Sequence, residues 1–131
     1  MIERAAFAAI ELIVAAAHEA GFVVAVAIAD AHGDLVAAYR MEHARPRWMR
    51  ASLRKAYTAA VMDRDTDAFH DEIVARNLQI ASYGDPMLTA LPGGIVVARD
   101  GVTVAGIGVT GRTTGRDAEL ARAGAALLQQ R

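Results

Sequence analysis

Two stretches of this chain are paired apolar runs folded about a turn, and two such hairpins in so short a chain demand a sheet that other elements must cover. In the first, FVVAVAIAD (22–30) and LVAAYRM (35–41) flank AHGD, where Gly33 can take positive φ, which predicts a hairpin of two largely buried strands. In the second, IVVARD (95–100) and VTVAGIGVT (102–110) meet at Asp100-Gly101, a strong short-range turn signal. Helical periodicity fills the intervals. Residues 3–20 place Ile10, Ile13, Val14 and Ala17 on one face, and Gly21 stands where that helix would end. Pro46 opens a second helix over 47–62, with Met49, Leu53, Ala56 and Ala60 on its apolar face. Thr66 or Asp67 can cap a third that runs to about Ser82. The loop YGDPMLTALPGG (83–94) is long for so small a chain, and long loops are often functional. After a flexible GRTTGR link, Leu120, Ala123, Gly124 and Leu127 form the stripe of a last helix. The order α-β-β-α-α-β-β-α predicts an α+β fold, an antiparallel sheet of four or five strands covered by helices. One domain over residues 1–131 is expected, without linker or repeat.

The hydrophobic fraction is 54% but aromatics are only 5%, so Ala, Val, Ile and Leu must carry the burial in thin, close layers. That much apolar content exceeds what one small core absorbs easily, and a homo-oligomer interface is the expected place for the rest. A net charge of −1 offers no basic excess for a row of phosphates, which argues against nucleic acid. With no cysteine there is no disulfide, thiolate metal site, thioether-linked haem or thiol nucleophile, while noncovalent haem stays open. Glu3, Arg4, Glu11, His18 and Glu19 interrupt the apolar start, so neither a signal peptide nor a spanning helix fits; no membrane partner and a cytoplasmic location are expected.

Chemistry concentrates around the second helix. Arg45, Arg47, Arg50, Arg54 and Lys55 put five cations within eleven residues, a flank suited to carboxylates of a small organic acid or of haem, or else a solvated face or a set of intersubunit salt bridges. Lys55 lies towards the edge of the apolar face with Thr58 and Met62, so half-burial would lower its pKa. It is then a candidate base, Schiff-base amine or anion anchor, or the partner of Asp117 in a helix-to-helix ion pair. Asp117 at the start of the last helix is most simply a cap; its functional alternative is to orient Lys55 or a water. No two of the four histidines have the i, i+4 spacing of a helical zinc site, so no metal site is expected. His18 is either part of a solvated stripe or an axial haem ligand; His43, beside the basic run, is the candidate for acid–base work or for iron. His32 should be exposed in its turn, and His70 is uninformative. Gly106, Gly108 and Gly111 lie in and just beyond a strand, which excludes a dinucleotide fingerprint and favours helix-on-sheet packing. Gly93 and Gly94, after Pro92, could turn backbone N–H groups towards an anion, with Arg112 nearby.

Three segments together resemble the GlcG/HbpS family, the haem-degrading or DUF336 domain also found at the C-terminus of some corrinoid adenosyltransferases. IADAHGDLVAAYRME is similar to the family's hairpin ending in Arg-Met-Asp, and SLRKAYTAAVMDRDT to its Ser, Lys-Ala and Thr-Ala helix. PGGIVVARDGVTVAGIGVTG with RDAELARAG is similar to its glycine-rich hairpin and closing helix. The resemblance covers about residues 3–128 and implies a profilin-like α+β fold and assemblies as large as octamers. Its members include haem binders and corrinoid-associated domains. Where the family reads Arg-Met-Asp-Gly-Ala, this chain has Arg40, Met41, Glu42, His43 and Ala44, followed by Arg45, Pro46 and Arg47, which makes the rim of the implied ligand site (Arg40, Glu42, Arg45, Arg47) more basic and more crowded. Three functions follow. The first is binding of an anionic small ligand, haem or a related tetrapyrrole or corrinoid, with iron on His18 or His43 if it is ligated. The second is a small cofactor-independent lyase, isomerase or hydrolase acting on a carboxylated metabolite through Lys55, His43, Tyr57 and Asp117. The third is an accessory structural oligomer.

Overall fold

The computed structural model describes residues 2–112 and 114–130. Its elements run α1 (Ile2–Ala20), β1 (Val24–Asp30), β2 (Leu35–Arg40), α2 (Pro46–Val61), α3 (Thr66–Ala75), β3 (Gly94–Arg99), β4 (Val102–Gly111) and α4 (Asp117–Gln129), with short 3-10 turns at Ile80–Tyr83 and Thr114–Arg116. This is the expected order and an α+β fold. The four strands form one antiparallel sheet in the order β2-β1-β4-β3, so the two hairpins join through their buried strands β1 and β4.

Alternation along β1 and β4 decides what covers each face. Val24, Val26 and Ile28, with Ala105, Ile107 and Val109, point to the side where Ile10 and Ile13 of α1 and Leu120 of α4 complete the main core. Fully burying each of Ile13, Ile28 and Ile107 contributes about 1.5–3 kcal/mol. The other face is made of small residues, Ala27 and Ala29 from β1 and Gly106 and Gly108 from β4, and there α2 packs down onto the sheet. A Cβ on Gly108 would overlap the Ser52 carbonyl oxygen, and one on Gly106 the Ala56 carbonyl oxygen. Gly106 and Gly108 therefore serve close helix-on-sheet packing and bring Ser52 and Lys55 of α2 down to β4, whereas Gly111 lies against Val23 and Val24.

Several expectations are corrected. In the first hairpin only β1 is buried; β2 is an edge strand with Leu35 and Tyr39 largely exposed. The third helix ends at Ala75 rather than near Ser82, because Asn77 takes φ 53° and the Asn77 and Leu78 amides turn back to the Val74 and Ile73 carbonyls. Neither Thr66 nor Asp67 caps that helix: Asp65 stands at the N-cap, its carboxylate accepting the Val96 amide instead, and the Thr66 hydroxyl accepts the Gly94 amide. In α2 the deepest face is Trp48, Ser52, Lys55, Ala56, Ala59 and Ala60, leaving Met49 and Leu53 half-buried on its flank. The stripe of α4 is Asp117, Leu120, Ala121, Gly124 and Leu128; Ala123 is exposed and Leu127 half-buried. In the 111–116 link, Gly111 ends β4 and residues 114–116 form a 3-10 turn, while Thr113 lies outside the described residues. Among the described residues, no helix is long and apolar enough to cross a membrane.

Candidate functional site

The fold brings the ends of three elements together: the start of α2, the end of β4 and the start of α4. Between them lies a cavity of about 440 Å³ with Arg45, Arg47 and Arg112 among its lining, Trp48, Ala51 and Leu91 as its apolar part, and Lys55 and Thr110 beside them. A second cavity of about 290 Å³ shares Trp48, Gly111 and Arg112 with the first and adds Phe22, His43, Arg116, Asp117 and Leu120. Pro46 at the first position of α2 fixes the approach of the chain, so Arg45 and Arg47 fall on either side of it at the cavity's edge.

The innermost part is a buried ion pair. Lys55 and Asp117 are each 1% exposed. Lys55 Nζ donates to the Val109 carbonyl oxygen at 2.9 Å and to Asp117 Oδ2 at 3.4 Å, joining α2, β4 and α4. Burial pushes the lysine below its ordinary value, with the Asp117 charge opposing, and the same burial pushes Asp117 above the usual carboxylate range, against the pull of Lys55 and the Gly111 amide. The two proton affinities are thus drawn towards each other. Gly93, at φ 120°, lies against this pair: a Cβ there would stand 2.8 Å from Lys55 Nζ and 3.0 Å from Asp117 Cβ. Beside it, Ser52 Oγ donates to the Ala25 carbonyl oxygen and shares a 2.9 Å hydrogen bond with Thr110 Oγ1.

These placements correct two readings. Lys55 lies at the centre of the buried face of α2 rather than towards its edge, because the glycines of β4 let the helix backbone descend. Asp117 does not cap α4; it is the first residue of the helix, makes no cap hydrogen bond to it, and turns to Lys55 and the Gly111 amide instead.

The remaining candidates divide by position. Arg40 is not spread over the cavity, since its guanidinium donates to the Ala44 carbonyl oxygen at 2.6 Å and braces the 41–44 turn. The Glu42 side chain is almost wholly exposed, 3.9 Å from His43 Nε2. His43 lines the second cavity, its side chain 82% exposed and its backbone at φ 74°. Among the described non-glycine residues at positive φ it is the only one that is not Asp or Asn. A left-handed backbone suits glycine, the residue that the resemblance implies at this position. Arg54 leaves the basic run to hold the long loop, donating to the Pro86 and Leu88 carbonyl oxygens. Gly94 has its N–H committed to Thr66. Tyr57 is not brought to the cluster: two positions after Lys55 on a helix it faces another way, donating to Asp85 Oδ2 at 2.7 Å, and that bond, ahead of burial, raises its pKa. His18 is exposed beside a separate shallow groove with Val14 and Tyr39, His32 and His70 are exposed, and no three metal-ligating side chains gather among the described residues.

Trp48, Thr110 and Leu91 were missed. Trp48 had a signal, being the only tryptophan in a chain poor in aromatics and two residues after a helix-opening proline. Thr110 and Leu91 had none, since their roles come from tertiary closure.

A family model described as "Haem degrading protein HbpS-like" matches residues 2–126. Protein GlcG of Escherichia coli K12 is 37% identical over 87 residues, which cover 66% of this chain and 63% of GlcG. The crystal structure of a double mutant of Streptomyces reticuli HbpS superposes with a TM-score of 0.88 at 32% identity, covering 99% of this chain and 88% of that one. A crystal structure titled as a PduOC:heme complex shares the fold, with a TM-score of 0.84 at 24% identity over 95% of this chain and 91% of that one. Matched over nearly its whole length, the chain belongs to the HbpS-like family.

Proposed function

We propose that this protein binds a small anionic ligand, haem or a related tetrapyrrole, in the double cavity at the start of α2. The observation that carries the reading is a cavity lined by three arginines, Arg45, Arg47 and Arg112, with an apolar wall beside them. Guanidinium groups match carboxylates bidentately, and ligand sites of a few hundred cubic ångströms with apolar walls and few polar groups are the common form. Trp48 and Leu91 supply the apolar wall, and the cavity volume of about 440 Å³ lies in that range. The donor set fits haem: carboxylate-binding cations at the mouth and one imidazole, His43, in the adjoining cavity. Haem bound there would supply an iron centre; the chain's residues hold its propionates, shield its apolar body and offer His43 as a nitrogen ligand. The family description and the haem complex of PduOC support the same class of ligand. A second copy of the chain is the expected partner.

The test is a titration of ferric haem followed in the Soret region, with His43→Ala and His18→Ala in parallel. A saturable shift that His43→Ala alters and His18→Ala leaves intact is expected. A shift lost only in His18→Ala moves the site to the α1 groove, and no saturable shift removes the tetrapyrrole reading.

The buried Lys55–Asp117 pair favours a second reading, acid–base chemistry on a carboxylated metabolite held by the same arginines. Turnover of such an acid, lost in Lys55→Ala while folding persists, is its test; unchanged turnover removes Lys55 from the mechanism.

A further inference from the structure

Of the 14 lysine and arginine residues in this chain, Lys55 is the only lysine, and among the described residues it is the cation with the deepest burial. Everywhere else the chain uses arginine. Arginine is the usual choice for a buried structural ion pair, because its planar fork satisfies several acceptors at once and holds its charge. Lysine differs in one respect that matters here: its ammonium can give up its proton when desolvated and become a nucleophile. Selecting lysine once, at the one position enclosed beside an arginine-edged cavity, points to use of the free amine.

Resting on the second reading above, we infer that Lys55 forms an imine with a small oxo acid whose carboxylate is held by Arg45, Arg47 or Arg112. Three features of the geometry converge. Lys55 lines the same cavity as the three arginines, so one compact molecule can rest its carboxylate on a guanidinium and turn its carbonyl carbon towards Lys55, whose buried Nζ meets it by leaving the Val109 carbonyl. Gly93 packs directly against the amine and holds it in place, since a Cβ there would lie 2.5 Å from the Val109 carbonyl oxygen and 2.8 Å from Nζ, and any other residue would displace it. Asp117 Oδ2 stands 3.4 Å from Nζ and serves as the acid. Burial favours the neutral amine and the protonated carboxyl together, the two forms that the first step requires.

The atoms balance without a co-reactant. The Nζ lone pair adds to the carbonyl carbon, and the carbonyl oxygen leaves as water with one proton from the nitrogen and one from the Asp117 carboxyl. A protonated C=N bond remains, paired with the Asp117 carboxylate.

The experiment incubates the full chain with pyruvate or 2-oxoglutarate, reduces with sodium cyanoborohydride, and reads intact mass and peptide maps; binding is read separately from Trp48 fluorescence. A reduced imine adds the mass of the acid less one oxygen atom. With one lysine, the N-terminal amine is the only competing primary amine and serves as the internal control. The expected result is an adduct on the Lys55 peptide that propionate competes away and that Arg47→Ala/Arg112→Ala, both exposed positions, reduces about tenfold at subsaturating acid. The double variant Lys55→Met/Asp117→Leu, which leaves no unpaired charge, should fold and show no such adduct. An adduct confined to the N-terminus, with saturable fluorescence changes retained, overturns the imine and leaves the carboxylate site standing. Neither adduct nor saturable binding overturns both.

Discussion

Removing Asp117 alone should be far more damaging than removing it together with Lys55. At 3.4 Å the two charges attract by about 5 kcal/mol at an effective dielectric of about 20, and each has been taken almost wholly out of water. In Asp117→Leu the ammonium keeps only the Val109 carbonyl as a described acceptor, so a loss of about 3–5 kcal/mol is expected. Lys55→Met should also destabilise, and in each single variant the stranded group escapes its charge by moving one proton, the amine by losing it and the carboxyl by gaining it. The double variant Lys55→Met/Asp117→Leu replaces both charges by apolar groups and should lie within about 1 kcal/mol of the parent or above it. Urea unfolding followed by the fluorescence of Trp48, the only tryptophan and 5% exposed, reads all four proteins at one protomer concentration. If Asp117→Leu and the double variant prove equally unstable, the two side chains do not compensate each other and the account of the site's floor is wrong.

Three further outcomes follow from the same geometry. His43→Gly should raise stability by about 1 kcal/mol, because glycine relieves the φ of 74°, while weakening haem binding; thermal melts and Soret titrations read the two effects. Gly108→Ala should destabilise by about 3 kcal/mol or prevent folding, since its methyl group would overlap the Ser52 carbonyl, whereas Gly115→Ala, with nothing within 4 Å, should cost far less in the same urea assay. The pair also sets a pH dependence: above 3.8 the folded state holds the Asp117 proton more tightly than the unfolded chain, so stability falls as pH rises towards the raised folded pKa. Below 10.5 the unfolded chain holds the Lys55 proton more tightly, so stability rises as pH climbs from the lowered folded pKa to 10.5. Both slopes should vanish in Lys55→Met/Asp117→Leu when unfolding free energy is measured across that range.

Element order and hairpin pairing were legible because helical periodicity and the apolar runs that flank the Gly33 and Asp100-Gly101 turns are local signals. The depth of Lys55 was not. Helical periodicity placed it towards the edge of an apolar face; only the juxtaposition of α2 with Gly106 and Gly108, about fifty residues away in sequence, lowers the helix far enough to enclose it. The third helix was overrun because its end is set by a left-handed Asn77 rather than by glycine or proline. The sequence admits the Asp117–Lys55 pair but favours capping, since a carboxylate at a helix start has a local explanation and its partner lies 62 residues away. Arg45, Arg47 and Arg112 meet at one cavity for a reason equally invisible locally, the closure of β4 beside the start of α2.

The most direct test of the central claim compares haem with its dimethyl ester, which keeps the ring and the iron but masks both carboxylates, in titrations of the parent protein and of Arg45→Ala/Arg47→Ala/Arg112→Ala. The account predicts that the parent prefers the free diacid by about tenfold or more and that the triple variant loses the preference. Equal affinity of the parent for both forms would contradict it.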